Sequence, residues 1–167
     1  MENKVIFLDR DGTINKDFGY VYQKSKLEFL PGVIEALHLL KDAGYKLIII
    51  TNQSGIGRGY FSLNDYNEFN QYMIEELKKL NIEIDKVYYC PHTDEDKCNC
   101  RKPNIGLFEN AIKEYNVDIE NSYVIGDNER DLSVCDKYNL KSILLYKNSD
   151  KYLCKKDLLD AAKYILQ

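Results

Sequence analysis

Short apolar runs recur along the chain, each ending in a polar turn and followed by a longer amphipathic stretch. Val5-Ile6-Phe7-Leu8 is cut off by Asp9, and similar runs close on Thr51-Asn52 and Gly126-Asp127. Their β-branched and aromatic content predicts strands over Lys4 to Leu8, Lys46 to Ile50, Lys86 to Tyr89, Ser122 to Ile125 and Ser142 to Tyr146. Between the first two, Pro31 and Gly44 bracket a helix over Gly32 to Ala43. Its buried stripe is Val33, Ala36, Leu37 and Leu40, which leaves His38 on the helix surface. Ser62 caps a second helix running to about Leu80, with Tyr66, Phe69, Met73 and Leu77 on one face. Leu107 to Tyr115, Leu132 to Tyr138 and Asp157 to Leu166 are predicted as further helices, and the charge-rich Lys147 to Lys156 as a solvated connection. Strand and helix alternate, so right-handed crossovers should build an α/β parallel sheet covered on both faces.

Composition narrows the class. With 167 residues, 44% hydrophobic and 30% charged, the chain suits one domain over residues 1–167 with a sizeable core. A formal net charge of -4 gives no general attraction to nucleic acid or anionic membranes, although a local basic pocket can still bind phosphate. The apolar run before Asp9 is too short for a signal-peptide core, and no run of about 20 apolar residues offers a membrane span. The expectation is a cytoplasmic monomer acting on a small anionic substrate, with no nucleic acid and no membrane as partner.

The polar strand ends carry the chemistry. In Asp9-Arg10-Asp11-Gly12-Thr13 two carboxylates stand one residue apart, one able to attack phosphorus and the other to protonate the leaving alkoxide and later activate water. Alone, such a turn reads as an acidic strand end. Thr51 and Asn52 add phosphate-binding donors, and Arg101-Lys102-Pro103 adds two cations where a phosphate has to be neutralised. Gly126-Asp127-Asn128-Glu129-Arg130-Asp131 supplies acids that can complete an oxygen-rich magnesium site with Asp9.

Five cysteines without a secretory segment argue against a disulfide framework. Cys90-Pro91-His92 and Cys98-Asn99-Cys100 instead form two ligand pairs across Thr93 to Lys97. Three thiolates and one imidazole make a closed tetrahedral set suited to structural zinc, with no position left for water. Cys135 and Cys154 lack such spacing and are read as packing or surface thiols.

Taken together, Asp-x-Asp-Gly-Thr, then Thr, Lys and Gly-Asp-x-x-x-Asp, in that order, resemble the haloacid dehalogenase superfamily of phosphatases. The resemblance narrows at Asp17 to Tyr20, Thr51 to Tyr60 and Cys98 to Pro103 to the D-glycero-D-manno-heptose 1,7-bisphosphate phosphatase family, related to histidinol-phosphate phosphatases. It runs from about Val5 to about Asp131. It implies a Rossmann-like core without a separate cap domain, a zinc-binding loop, and a phosphorylated sugar as substrate in heptose precursor biosynthesis. By the same resemblance Asp9 is the nucleophile, Asp11 the general acid/base, and Thr51 and Lys102 the phosphoryl stabilisers. Magnesium would be held by Asp9, Asp127 and the Asp11 carbonyl, with Asp131 in support, and structural zinc by Cys90, His92, Cys98 and Cys100. Substrate contacts would fall on Asp9, Arg10, Asp11, Asp17, Phe18, Gly19, Tyr20, Thr51, Asn52, Gln53, Ser54, Arg101 and Lys102. Arg58, between two glycines, reads either as a substrate contact or as a solvated loop cation. Asn128 departs from the family, which commonly has lysine there. Histidinol-phosphate phosphatase, polynucleotide 3'-phosphatase, a non-enzymatic phospho-receiver and a zinc-organised interaction module stay open as alternatives.

Overall fold

The computed structural model describes every residue from Met1 to Gln167. Strands β1 (Val5–Leu8), β2 (Lys46–Asn52), β3 (Lys86–Cys90), β4 (Tyr123–Gly126), β5 (Lys141–Leu145) and β6 (Leu153–Lys155) form one sheet in the order β3-β2-β1-β4-β5-β6. All neighbours pair parallel. Helices α1 (Val33–Asp42), α2 (Leu63–Lys79), α3 (Gly106–Glu114) and α4 (Leu158–Ile165) cover it.

Alternation along the strands divides the core in two. Ile6 and Leu8 of β1 and Leu47 and Ile49 of β2 pack with the α1 stripe and with Met73 and Leu77 of α2. Val5, Phe7, Ile48 and Ile50 face the other way, against Leu107, Phe108 and Ala111 of α3. The buried stripes of α1 and α2 are the ones their periodicity predicts.

Two expectations are corrected. Lys147 to Lys156 is not merely a solvated connection, because Leu153–Lys155 pairs with β5 as an edge strand. Three residues, one of them a lysine, carry no alternation signal, and an edge needs hydrogen bonds on one side only. Leu132 to Tyr138 is not an α-helix. A 3-10 segment covers Glu129–Asp136, opened by a capping box between Asn128 and Asp131. That cap turns the Asp131 side chain back toward the strand ends, which an outward-facing helical turn would not do.

Phe7 is fully buried and meets Phe108 edge to face, ring centroids 5.5 Å apart. Truncating it leaves a cavity beneath the strand that carries Asp9. Phe7→Ala should cost about 3–5 kcal/mol in urea-induced unfolding; a loss below about 1 kcal/mol would mean the site can collapse around the gap.

Candidate active site

Chain order reverses at β1, with β2 on one side and β4 on the other, so a crevice opens above the carboxyl ends of these strands. Asp9 follows β1 directly, and its N–H donates to the carbonyl of Ile125 at 3.2 Å, tying it to β4. Beyond it the chain turns through Gly12, whose φ of 86° favours glycine. A Cβ at this position would overlap the Asp127 carboxylate. Carboxylate oxygens of Asp9, Asp127 and Asp131 lie within 4.8 Å of one another. Burial, then the charge of Asp131, pushes the Asp9 carboxyl well above its usual range, with Lys102 opposing. Asp127 is raised by the same two causes in the same order. Three hard oxygen donors this close, with room kept for one of them by a glycine, fit a divalent cation such as magnesium.

Lys102 is the buried counter-charge, its side chain 2% exposed. Its Nζ donates to Asp9 Oδ1 at 2.9 Å and to the Ile50 carbonyl at 2.6 Å, and it pairs with Asp131 Oδ1 at 2.8 Å. All three ammonium donors are thereby satisfied. Burial depresses the ammonium, but Asp131 and Asp9 outweigh it and hold Lys102 above its ordinary value. Asn52 fixes the backbone beside it, accepting from Lys102 N at 2.9 Å and donating to Lys102 O at 3.1 Å. The peptide bond to Pro103 is cis.

Asp11 does not join the three-carboxylate group with its side chain. Arg10 forks onto it through Nε and Nη2, each at 3.1 Å, Asn15 Nδ2 donates at 2.9 Å, and Gln53 Nε2 at 3.2 Å. The same Gln53 amide donates to Thr51 Oγ1 at 2.9 Å, so one side chain links the Asp-x-Asp turn to the end of β2. Arg10 is fully buried, bonds the Val21 carbonyl and lies 4.7 Å above the Phe69 ring. It braces Asp11 from behind.

Above these groups is a cleft of about 310 Å³ lined almost entirely by polar residues. Of the sequence-predicted contacts, Asp9, Asp11, Asp17, Gly19, Tyr20, Thr51, Asn52, Gln53, Ser54, Arg101 and Lys102 reach it. Arg10 and Phe18 do not line it. The Phe18 ring lies beside Lys16 and Lys26, whose Nζ atoms are 5.0 and 5.6 Å from its centroid. Arg58 does line the cleft, and so does Arg130, which sequence reasoning missed. Arg130 lies inside the Gly-Asp-x-x-x-Asp stretch, a position that could have marked it. Asn128, in place of lysine, accepts from Arg130 N at 3.1 Å and so serves as a cap.

One wall belongs to the loop after β3. Cys90 Sγ lies 3.6 Å from Cys98 Sγ, 2.8 Å from Cys100 Sγ and 3.4 Å from His92 Nδ1, which is 3.2 Å from Cys100 Sγ. A zinc–sulfur bond of about 2.3 Å places tetrahedral ligand atoms about 3.7 Å apart, so the four donors already stand near such a set. Burial opposes ionisation of Cys98, but the Arg101 and Cys100 N–H groups help pull its thiol down to about 6. The loop is joined to the rest of the mouth, since Gly57 N donates to the Pro91 carbonyl at 2.9 Å and a Cβ on Gly57 would strike that oxygen.

Comparison with known proteins agrees with this geometry. A family model described as polynucleotide kinase 3 phosphatase matches residues 4–155. A Helicobacter pylori protein named D-glycero-beta-D-manno-heptose-1,7-bisphosphate 7-phosphatase is 47% identical over 144 residues, 86% of this chain and 83% of that protein. A Campylobacter jejuni protein named as the 7-phosphatase of the alpha anomer is 40% identical over 151 residues, 90% of this chain and 87% of that one. The crystal structure of D,D-heptose 1,7-bisphosphate phosphatase from B. bronchiseptica, complexed with magnesium and phosphate, superposes with a TM-score of 0.89 at 29% identity, covering 98% of each chain. The chain belongs to the heptose 1,7-bisphosphate 7-phosphatase family of haloacid dehalogenase-type phosphatases.

Proposed function

We propose that the chain hydrolyses the C7 phosphate of D-glycero-D-manno-heptose 1,7-bisphosphate and keeps the phosphate at C1. The observation that carries this reading is the separation of positive charge in one cleft. Lys102 lies at the floor against Asp9, while Arg58, Arg101 and Arg130 stand around the same cleft, so two phosphates of one molecule can be served at once. The similar proteins named for this bisphosphate supply the sugar.

In this reading the transferring phosphoryl group sits between Asp9, Lys102 and the Thr51 hydroxyl. Asp9 attacks phosphorus in line with the C7 oxygen; the bond from carboxylate to phosphorus forms as the bond from phosphorus to the sugar oxygen breaks. Asp11 gives its proton to that oxygen, then takes one from the water that opens the acyl phosphate, releasing inorganic phosphate and restoring Asp9. Arg10, Asn15 and Gln53 orient the Asp11 carboxyl for both transfers. Lys102 neutralises the equatorial oxygens and holds Asp9 in position. Asp9, Asp127 and the Asp11 carbonyl would hold magnesium, with Asp131 in support; when bound, the cation offsets negative charge on the phosphoryl oxygens. Structural zinc on Cys90, His92, Cys98 and Cys100 would fix the loop that presents Arg101 and Lys102. The same reading puts the protein in the cytoplasm, as a monomer, in precursor synthesis for lipopolysaccharide heptose.

A second reading, removal of 3'-phosphates from polynucleotides, is favoured by the family model's description. The net charge of -4 and the absence of a basic-aromatic strip work against it. Values of kcat/KM for both anomers of the heptose bisphosphate, histidinol phosphate and a 3'-phosphorylated oligonucleotide decide the matter. One heptose bisphosphate anomer should lead the panel. Preference for histidinol phosphate or the oligonucleotide would move the assignment to that activity.

A further inference from the structure

The arginines lining the cleft come from three different segments, Arg58 after β2, Arg101 after the cysteine-rich loop and Arg130 in the 3-10 segment after β4. Their states differ. Arg58 Nε donates to Ser54 Oγ at 3.3 Å, and Arg101 Nε donates to Asp94 Oδ1 at 2.6 Å. The Arg130 guanidinium makes no hydrogen bond or ion pair, although its backbone N–H is held by Asn128. Asp94 is the loose member of its pair, its side chain 81% exposed against 16% for Arg101. One exposed acid therefore occupies one of the three arginines lining the cleft.

We infer that Asp94 is a built-in competitor for the distal phosphate of the substrate, occupying Arg101 until that phosphate displaces it, with Arg130 as the free cation that draws the phosphate in. This rests on the bisphosphate reading given above. A phosphate presents more charge and three acceptor oxygens to a guanidinium fork that a carboxylate fills with two, so a bisphosphate can exchange for Asp94. A monophosphate brings nothing to exchange, and Asp94 stays in place. Asp94 thus lowers the preference of the cleft for a bisphosphate over a monophosphate, and Arg130 raises it. Asp94 and Arg130 act as specificity-determining residues, and Arg130 supplies the positive charge that Asn128 does not.

The test is the ratio of kcat/KM for D-glycero-D-manno-heptose 1,7-bisphosphate to that for the heptose 7-phosphate, in wild type, Asp94→Asn and Arg130→Gln, each checked for zinc content. Asp94→Asn should raise the ratio, chiefly through KM for the bisphosphate, and Arg130→Gln should lower it, each by about fivefold as expected for exposed charge pairs. A ratio unmoved by Asp94→Asn in zinc-replete protein, or unmoved by Arg130→Gln on its separate segment, would overturn the inference. Wild-type protein that hydrolyses p-nitrophenyl phosphate but not the heptose bisphosphate would overturn the substrate reading and this inference together. Turnover of the bisphosphate with an unchanged ratio would overturn this inference alone.

Discussion

Asp9→Asn is expected to lower kcat by about five orders of magnitude, the scale on which loss of an attacking nucleophile is felt, while leaving the fold intact. The amide cannot form the acyl phosphate, so nothing divides the hydrolysis into two easier steps. Stability should move the other way. In metal-free protein the Asp9 carboxyl is raised by burial and by Asp131. The unfolded chain then gives up this proton at lower pH than the folded one, so stability falls as pH rises from the unfolded toward the folded pKa. Asparagine carries no such penalty, and Lys102 keeps its pair with Asp131 at 2.8 Å. The metal-free variant should melt no lower than wild type at neutral pH. Acid-quenched wild type should carry protein-bound phosphate that the variant lacks. A folded Asn variant retaining a tenth of wild-type kcat would remove Asp9 from its role.

The second large effect is expected at the cysteine-rich loop. Zinc should be present at about one equivalent per chain, and Cys98→Ser should lose most of it. Metal binding needs deprotonated thiols, and the Cys98 thiol, with its pKa pulled down to about 6, is the one prepared for it at neutral pH. Cys90 is pushed up, by burial first, and needs the metal to ionise. Zinc retention should therefore weaken as pH falls through the range where Cys98 protonates. The consequence reaches the chemistry, since Cys98 Sγ accepts from Arg101 N at 3.3 Å, one residue before Lys102. A shift of about 1 Å there should cost about a hundredfold in kcat/KM. Metal analysis and kinetics of the same preparation check both; unchanged zinc in Cys98→Ser would disprove the ligand set.

How far the sequence reveals the molecule depends on how local each signal is. The α1 and α2 stripes, the strand cores and the order of the chemical motifs are written in short-range periodicity and spacing. The Leu153–Lys155 strand was not legible because its pairing is decided by β5, not by its own composition. The 3-10 segment Glu129–Asp136 opens on a cap made by Asp131, whose other carboxylate oxygen pairs with Lys102, far away in the chain. Within the site, Asp9, Thr51 and Asp127 announce themselves by position at strand ends, and Lys102 by its place after the last cysteine of the loop. Gln53 as the link between Asp11 and Thr51, Arg10 as a buried brace, and Asp94 as the partner of Arg101 do not, since each role is created by loops meeting across the sheet.

Phosphorus NMR of a single reaction tests the central claim most directly. With D-glycero-D-manno-heptose 1,7-bisphosphate and magnesium, the C7 resonance should be replaced by inorganic phosphate while the C1 resonance persists as a sugar phosphate. Loss of the C1 resonance with C7 retained, or no release of phosphate by folded, zinc-replete protein, would contradict it.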